Sequence, residues 1–488
     1  MKTSVIALFD IGKTNKKLFL IDEHYRIVLE KTAQFAETTD EDGDSCEDLT
    51  RLTDWVLSSF QTVADDAAFD IRAINFSAYG ASFVLLGFHP FVLPIGEKTV
   101  GNTEGSLAPV ASLYNYLKPL SADLQKGFYE KNGGEAVFSR LAASPVLGNL
   151  NSGMQLYRLK NEKPDVFQQI KYALHLPQYL SFLFSKQTFS DITSIGCHTN
   201  LWDFDKNQYA DWVAEEGVLE KLAPIFPSDS VLETELIIFS KQRFELRVGV
   251  GLHDSSAALI PYLMSFQQPF ILISTGTWCI SMNPFDASPL TDAELENDCL
   301  CYLSFQAQAV KSARLFAGFQ HEEQTRRIAK HFNGAADFYK NVDFDPKIVE
   351  ILLSRRRNPD ASGRGDNSTF ATRDLADFDN IETAYHQLIH DIMTQQVAST
   401  RLVLRADSDV QRVFVDGGFS KNRIYMNLLA AAFPDVEVFA ASVAQASAIG
   451  AALAIHRHWN PNNVPSDLID LTFYATQRQL NIEPQIND

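Results

Sequence analysis

The sequence predicts an α/β protein built from two related domains with a cleft between them. Three observations point there. At 488 residues the chain is too long for one compact core. Strand-type and helix-type periodicities alternate along much of it. A strand, a glycine turn and a second strand also occur twice, at Ile6–Leu20 and again at Ile271–Met282. If the two hairpins are equivalents, each opens one domain. The boundary then falls near Phe244–Arg247, giving residues 1–246 and 247–488.

The elements follow in order. Ser4–Phe9, Lys17–Ile21 and Tyr25–Leu29 read as strands of an antiparallel meander with short polar turns. Leu49, Leu52, Trp55, Val56 and Phe60 share one stripe of a helix from about Glu47 to Val63. The acidic run Glu37–Asp44 before it reads as a solvated loop entering a helix N-terminus, where negative charge is welcome. Its spacing is not that of a calcium loop. Ile71–Ser77 and Phe83–Leu86 are strands, and helical segments dominate from about Ser106 to Ser185. Strand Val248–Gly251 and helix Ser255–Leu263 lead to the second hairpin, Phe270–Ser274 and Thr277–Met282. A long helix, Glu382–Leu404, turns Ala384, Leu388, Ile392 and Val397 inward. Strand Arg412–Asp416, helix Asn422–Ala432, strand Val436–Phe439 and helix Val443–His456 close the alternation. The arginine-bearing stretch Arg355–Gly365 reads as a solvated loop.

Composition narrows the function. With 45% hydrophobic residues the chain can build two cores. Its 42 basic and 61 acidic residues leave a net charge of −19, which argues against nucleic acid or an anionic membrane as partner. A nucleotide, needing only a local pocket of donors, remains open. Five cysteines at scattered positions, without a CxxC pair, read as reduced thiols of a cytosolic protein. Asp10 ends the apolar run Val5–Phe9 before signal-peptide length, and no apolar stretch is long enough to span a membrane. The expected location is the cytoplasm.

Four segments carry chemistry. In Asp10-Ile-Gly-Lys-Thr-Asn-Lys-Lys17 a strand ends in a carboxylate and then turns through glycine. Such a turn can hold terminal phosphates on N–H groups, and Asp10 suits Mg²⁺. Alone it is also an ordinary polar hairpin. Ser274-Thr-Gly-Thr-Trp278 repeats the pattern, so two turns, one per half, would clamp a polyphosphate from both sides. In Gly249–Leu259 a strand delivers His253-Asp254 to the mouth of a small-residue helix. Asp254 there is either the helix N-cap or the base that takes a proton from an attacking hydroxyl. Finally, Val413-Phe-Val-Asp-Gly-Gly-Phe-Ser-Lys-Asn422 runs a buried strand into paired glycines, against which a base and ribose can lie. It matches neither GxGxxG nor a P-loop.

With these four in order, the chain resembles the FGGY family of carbohydrate kinases, over Ile6 to His456. The resemblance implies two actin-like ATPase (ribonuclease H-like) domains: an N-terminal sugar-binding, phosphate-contacting domain and a C-terminal ATP-binding domain. It implies ATP and Mg²⁺, with Asp10 on the metal and Asp254 as catalytic base. It assigns ATP contacts to Gly12, Lys13, Thr14 and Asn15 in the first turn, to Thr275, Gly276 and Thr277 in the second, and to Gly417, Gly418, Ser420 and Asn422. It places the sugar near Tyr79, Gly80, Ala81, His253 and Asp254. Asn75–Leu86, Leu150–Asp165 and Asp191–Asp203 are similar to further segments of the family. The His253-Asp254 and Ser274–Trp278 stretches are most like its rhamnulose-kinase and fuculose-kinase branches. Two departures stand out. Pro94–Gly105 lacks the family's Asp-x-Arg, which grips sugar hydroxyls, and Gln445 stands where an acidic residue is common. The expected activity is phosphorylation of a small ketose such as rhamnulose, fuculose or xylulose; the expected partners are that sugar and ATP, with a homodimer left open. An actin-like ATPase that uses water as acceptor, or a kinase that has lost turnover, are the competing readings.

Overall fold

The computed structural model describes residues 2–88, 106–237, 243–357, 370–405 and 408–475. The segment 94–105, where the Asp-x-Arg pair was sought, lies outside these residues, as does most of the Arg355–Gly365 loop.

Two seven-stranded sheets organise the chain. In the first, Thr3–Ile11 forms an antiparallel hairpin with Lys16–Asp22, which pairs in turn with Ile27–Ala33. On its other side Thr3–Ile11 runs parallel to Phe69–Ala78. The second sheet repeats this arrangement. Phe270–Thr275 forms an antiparallel hairpin with Cys279–Asn283, which pairs with Ala309–Leu315, while Arg412–Gly417 lies parallel on the other side. The two glycine hairpins therefore hold corresponding places in two sheets of one design.

Position 246/247 falls inside strand Arg243–Gly249, which belongs to the first sheet. Leu252–His253 also pairs with Phe69–Ala78. The first sheet thus extends to His253, and the second begins at Phe270.

Other expectations shift for local reasons. The third strand starts at Ile27 because Tyr25 sits at φ 61° in the turn, its N–H donating to the Asp22 carbonyl. The stretch from 106 to 185 is broken by strands Leu107–Pro109 and Tyr172–His175, which flank Phe83–Phe88 in a small sheet. The acidic run is mostly exposed, as expected, but its aspartates are tied down. Lys118 Nζ lies 2.6, 2.7 and 2.8 Å from carboxylate oxygens of Asp40, Asp42 and Asp44, and Lys163 adds a contact of 2.5 Å to Asp42. The helix beyond it, Leu49–Ala64, is capped by Asp48, which accepts from the Arg51 N–H. The long helix spans Ile381–Val403, with Ala384, Leu388, Ile392 and Val397 buried as expected. All five cysteines are buried free thiols.

Each sheet has its own apolar core, and a third core joins them. Ile6, Leu8, Phe19 and Ile21 of the first sheet share it with Leu272, Met282 and Phe414 of the second. Between the sheets lie helices Asp254–Ser265 and Ala446–Ala454. They cross so closely that a Cβ on Gly450 would stand 1.8 Å from the Ala257 carbonyl oxygen.

Candidate active site

Asp10 stands one residue from the end of the opening strand, Asp254 begins the helix after the first sheet, and the Asp254 charge is felt at Asp10. Burial, then the Asp254 charge, pushes the Asp10 carboxyl up to about 6, while the Ser447 and Ser77 hydroxyls and the Lys17 charge hold it down. Burial pushes Asp254 up to about 6 as well, against the Ser255 N–H, which donates to its Oδ1 at 2.7 Å. Even so, 38% of the Asp254 side chain is exposed, so the carboxylate stays within reach of a solute. Two carboxylates driven up together form the kind of oxygen-donor, charge-poor setting that fits a hard divalent cation.

The first turn is held from below. Its Gly12 N–H donates to the Asn15 carbonyl at 2.9 Å, and Lys16 Nζ donates to the Lys13 carbonyl at 2.9 Å. Lys16 is 1% exposed and paired with Glu47 at 2.8 Å, so a buried ion pair anchors the turn. Two expected phosphate contacts are otherwise engaged: Lys13 pairs with Glu37 at 2.5 Å, and Asn15 Oδ1 accepts from Gln34 Nε2 at 2.7 Å. Thr14 is exposed at the tip.

The second turn is welded to the glycine pair. Thr275 is buried; its hydroxyl donates to the Asp416 carbonyl at 2.5 Å and accepts from the Phe419 N–H at 3.0 Å. Its carbonyl accepts from Gly418 N–H at 2.9 Å. Thr275 is thus the joint between the two segments, leaving Gly276 and Thr277 exposed at the tip. Gly417 sits at φ 91°, and a Cβ there would stand 1.9 Å from the Thr275 carbonyl oxygen, so only glycine fits. Ser420 Oγ donates to the Gly417 carbonyl at 2.8 Å. Asn422 caps the next helix and donates to Tyr385 OH at 2.7 Å, so its side chain is committed within the fold.

On the sugar side, the Gly80 turn packs on His253. A Cβ on Gly80 would lie 2.7 Å from His253 Cδ2. His253 Nε2 is 3.2 Å from Asp254 Oδ1, and burial pulls the imidazole down to about 4, so it is neutral at pH 7. Its backbone N–H donates to Thr193 Oγ1 at 2.9 Å. Tyr79 is buried with its hydroxyl 3.4 Å from Glu47 Oε2, and the Ala81 carbonyl accepts from Gln155 Nε2 at 2.7 Å.

Against known families, residues 267–349 match the C-terminal domain model of the FGGY carbohydrate kinases, and residues 384–458 match a second model described as the C-terminal domain of the FGGY family of carbohydrate kinases. Two rhamnulokinases align as well. That of Oceanobacillus iheyensis is 21% identical over 249 residues, 48% of this chain and 46% of the relative. That of Halalkalibacterium halodurans is 22% identical over 287 residues, 55% of this chain and 52% of the relative. The matches to the FGGY carbohydrate kinase models lie in the C-terminal half of the chain. The alignments span about half the length of these curated relatives. The fold agrees throughout: the crystal structure of a carbohydrate kinase from Novosphingobium aromaticivorans superposes with a TM-score of 0.73 at 21% identity, covering 98% of this chain and 95% of that one. The architecture is the two-domain actin-like ATPase fold.

Two residues near the candidate site gave little sign of themselves in the sequence. Tyr116 lies 5.9 Å ring to ring from Tyr79, and its hydroxyl is pushed up by burial and by the charges of Asp254 and Glu37. Gly318, at the start of helix Ala317–His331, comes so near the second turn that a Cβ would stand 1.8 Å from the Gly276 carbonyl oxygen. Gln445, which the sequence did single out, sits at φ 53° and accepts from Lys17 Nζ at 3.1 Å, tying the last lobe to the first hairpin.

Proposed function

We propose that this protein transfers the γ-phosphoryl group of ATP to a hydroxyl of a small sugar, a ketose such as rhamnulose, fuculose or xylulose. One observation carries the reading. Asp254, a half-buried carboxylate at the head of a helix, is near enough for its charge to raise the Asp10 carboxyl, and its neighbour His253 packs against the Gly80 turn.

In this reading the sugar lies against Tyr79, Gly80, Ala81 and His253. Asp254, ionised at pH 7 yet more basic than an ordinary carboxylate, accepts the proton of the attacking hydroxyl. As that oxygen bonds to the γ-phosphorus, the bond to the leaving ADP oxygen breaks. Base help of this kind contributes roughly 10²–10⁴-fold, and positioning supplies much of the rest. Neutral His253, 3.2 Å from Asp254, keeps the carboxylate in place without neutralising it. The two turns hold the triphosphate from opposite lobes, and Gly417-Gly418 face the nucleoside. Mg²⁺ on Asp10 would neutralise charge on the phosphates. Approach of the lobes excludes water from the cleft.

Among the described residues, no helix is long and apolar enough to cross a membrane. The direct experiment assays a panel of ketoses with ATP and Mg²⁺. Sugar-dependent ADP release that collapses in Asp254→Ala supports the proposal. ATP hydrolysis that no sugar stimulates favours the ATPase reading instead.

A further inference from the structure

We propose that Cys197, His198 and His253 form a binding site for a thiophilic divalent cation, Zn²⁺ being the best fit, on the floor of the acceptor pocket. Cys197 and His198 sit in the bend after the short helix Ile192–Ile195, and His253 ends the first sheet. All three are buried, and one ring nitrogen from each histidine and the Cys197 sulfur lie within 4.8 Å of one another. Around a tetrahedral Zn²⁺, such atoms stand roughly 3.4–3.7 Å apart, given bonds of about 2.0–2.3 Å. A closure of about 1 Å therefore completes the geometry and leaves a fourth position open.

Two arrangements prepare the histidines. His198 Nδ1 lies 3.0 Å from the Leu150 carbonyl, which can only accept, so Nδ1 carries the proton and Nε2 keeps its lone pair. His253 Nε2 faces the Asp254 carboxylate at 3.2 Å, leaving Nδ1 as the lone-pair nitrogen, with only Ser256 Oγ at 3.4 Å near it. A carbonyl or carboxylate behind each imidazole is the outer-shell pattern of histidine metal ligands. Burial keeps both rings neutral, with values near 3 for His198 and 4 for His253. Cys197 now donates its S–H to the Ser194 carbonyl at 3.1 Å; on binding, the sulfur–metal bond forms and that proton leaves to solvent.

The scaffold is rigid. The Leu303 N–H of the second sheet donates to the Gly196 carbonyl at 3.0 Å, and a Cβ on Gly196 would strike the Leu303 side chain. The bend is therefore clamped between lobes. The donor set of one sulfur and two nitrogens selects Zn²⁺ over Mg²⁺, which the oxygen-donor Asp10 suits. A Cβ at Gly80 would lie 3.4 Å from Cys197 Sγ, so an ion here occupies sugar space and restrains His253 next to Asp254. The inhibitory consequence rests on the sugar-kinase reading; the site itself does not.

The test titrates Co²⁺ into the full-length, chelator-treated protein and reads its absorption. The expected result is the intense visible spectrum of tetrahedral Co²⁺ with a near-ultraviolet thiolate charge-transfer band. Cys197→Ser loses that band, and His198→Asn weakens binding at least about tenfold, while circular dichroism shows each variant folded. A pale octahedral spectrum in the wild type, or a charge-transfer band that survives in Cys197→Ser, overturns the site. In turnover assays, Zn²⁺ competes with the sugar, and Cys197→Ser relieves the inhibition. If no sugar is phosphorylated, the functional proposal fails while the Co²⁺ spectrum still decides the metal site.

Discussion

Replacing Glu47 by glutamine tests how the first phosphate turn is built. The Lys16 ammonium is 1% exposed, and its contacts are the Glu47 carboxylate at 2.8 and 3.1 Å and the Lys13 carbonyl at 2.9 Å. Glu47→Gln preserves shape but leaves that ammonium buried without its counter-charge. Removing one partner of a buried pair costs about 3–5 kcal/mol. For a chain of 488 residues melting as one unit, the unfolding entropy is roughly 1 kcal/mol per degree, so the midpoint should fall by about 3–5 °C. Differential scanning calorimetry at pH 7 reads this directly. The double change Lys16→Met with Glu47→Leu should recover most of the loss, because it removes the charge as well as its partner. A midpoint within about 1 °C of wild type in Glu47→Gln alone would refute the argument. It would mean that Lys16 reaches water and that the turn does not rest on the pair.

Other outcomes follow from the same geometry. Asp254→Asn should lower kcat by roughly 10²–10⁴-fold with the KM for ATP little changed, measured by coupled ADP release. Sugar-dependent turnover should be level above about pH 6 and fall with acidification below it, since Asp254 must be ionised to accept a proton. Gly417→Ala puts a methyl 1.9 Å from the Thr275 carbonyl, so the KM for ATP should rise by about tenfold or more while sugar affinity holds. Lys118 and Lys163 hold the Asp42 carboxyl well below the usual carboxylate range. A depressed carboxylate stabilises the fold above its unfolded-state value of about 4, and that stability is lost as pH falls through the folded-state value. Lys118→Met should therefore flatten the acid limb of stability below about pH 4, read by urea unfolding across pH.

What was legible in the sequence is what short-range chemistry dictates. Asp10, Gly12, Asp254 and Gly417 stand at strand ends and helix mouths, where a carboxylate or a glycine has a local reason to be. The paired hairpins announced two like sheets for the same reason. What stayed hidden depends on partners far away in the chain. Glu47 read as the start of a helix, yet it is the counter-ion of Lys16 across 31 residues. The acidic run read as solvated because nothing near it is basic, and Lys118 closes on it from 78 residues away. Gly318 and Gly450 are required only because a carbonyl from another element comes within 2 Å of where a Cβ would be. Thr275 and Asn422, expected as ATP contacts, also hydrogen-bond within the fold, to partners that the local sequence does not reveal.

The core shared by the two sheets bears on how the chain is made. Ile6 and Leu8 pack in one cluster with Ile449, Leu453 and Trp459, which are synthesised more than 400 residues later. Asn75 waits for the same segment, donating its Nδ2–H to the Ala451 carbonyl at 2.8 Å in the interior. At synthesis rates of about 5–20 residues per second, one face of the opening sheet stays uncovered for on the order of half a minute or longer. Until the segment around Ala446–Ala454 is made, that face of the first lobe is apolar surface that a chaperone can shelter.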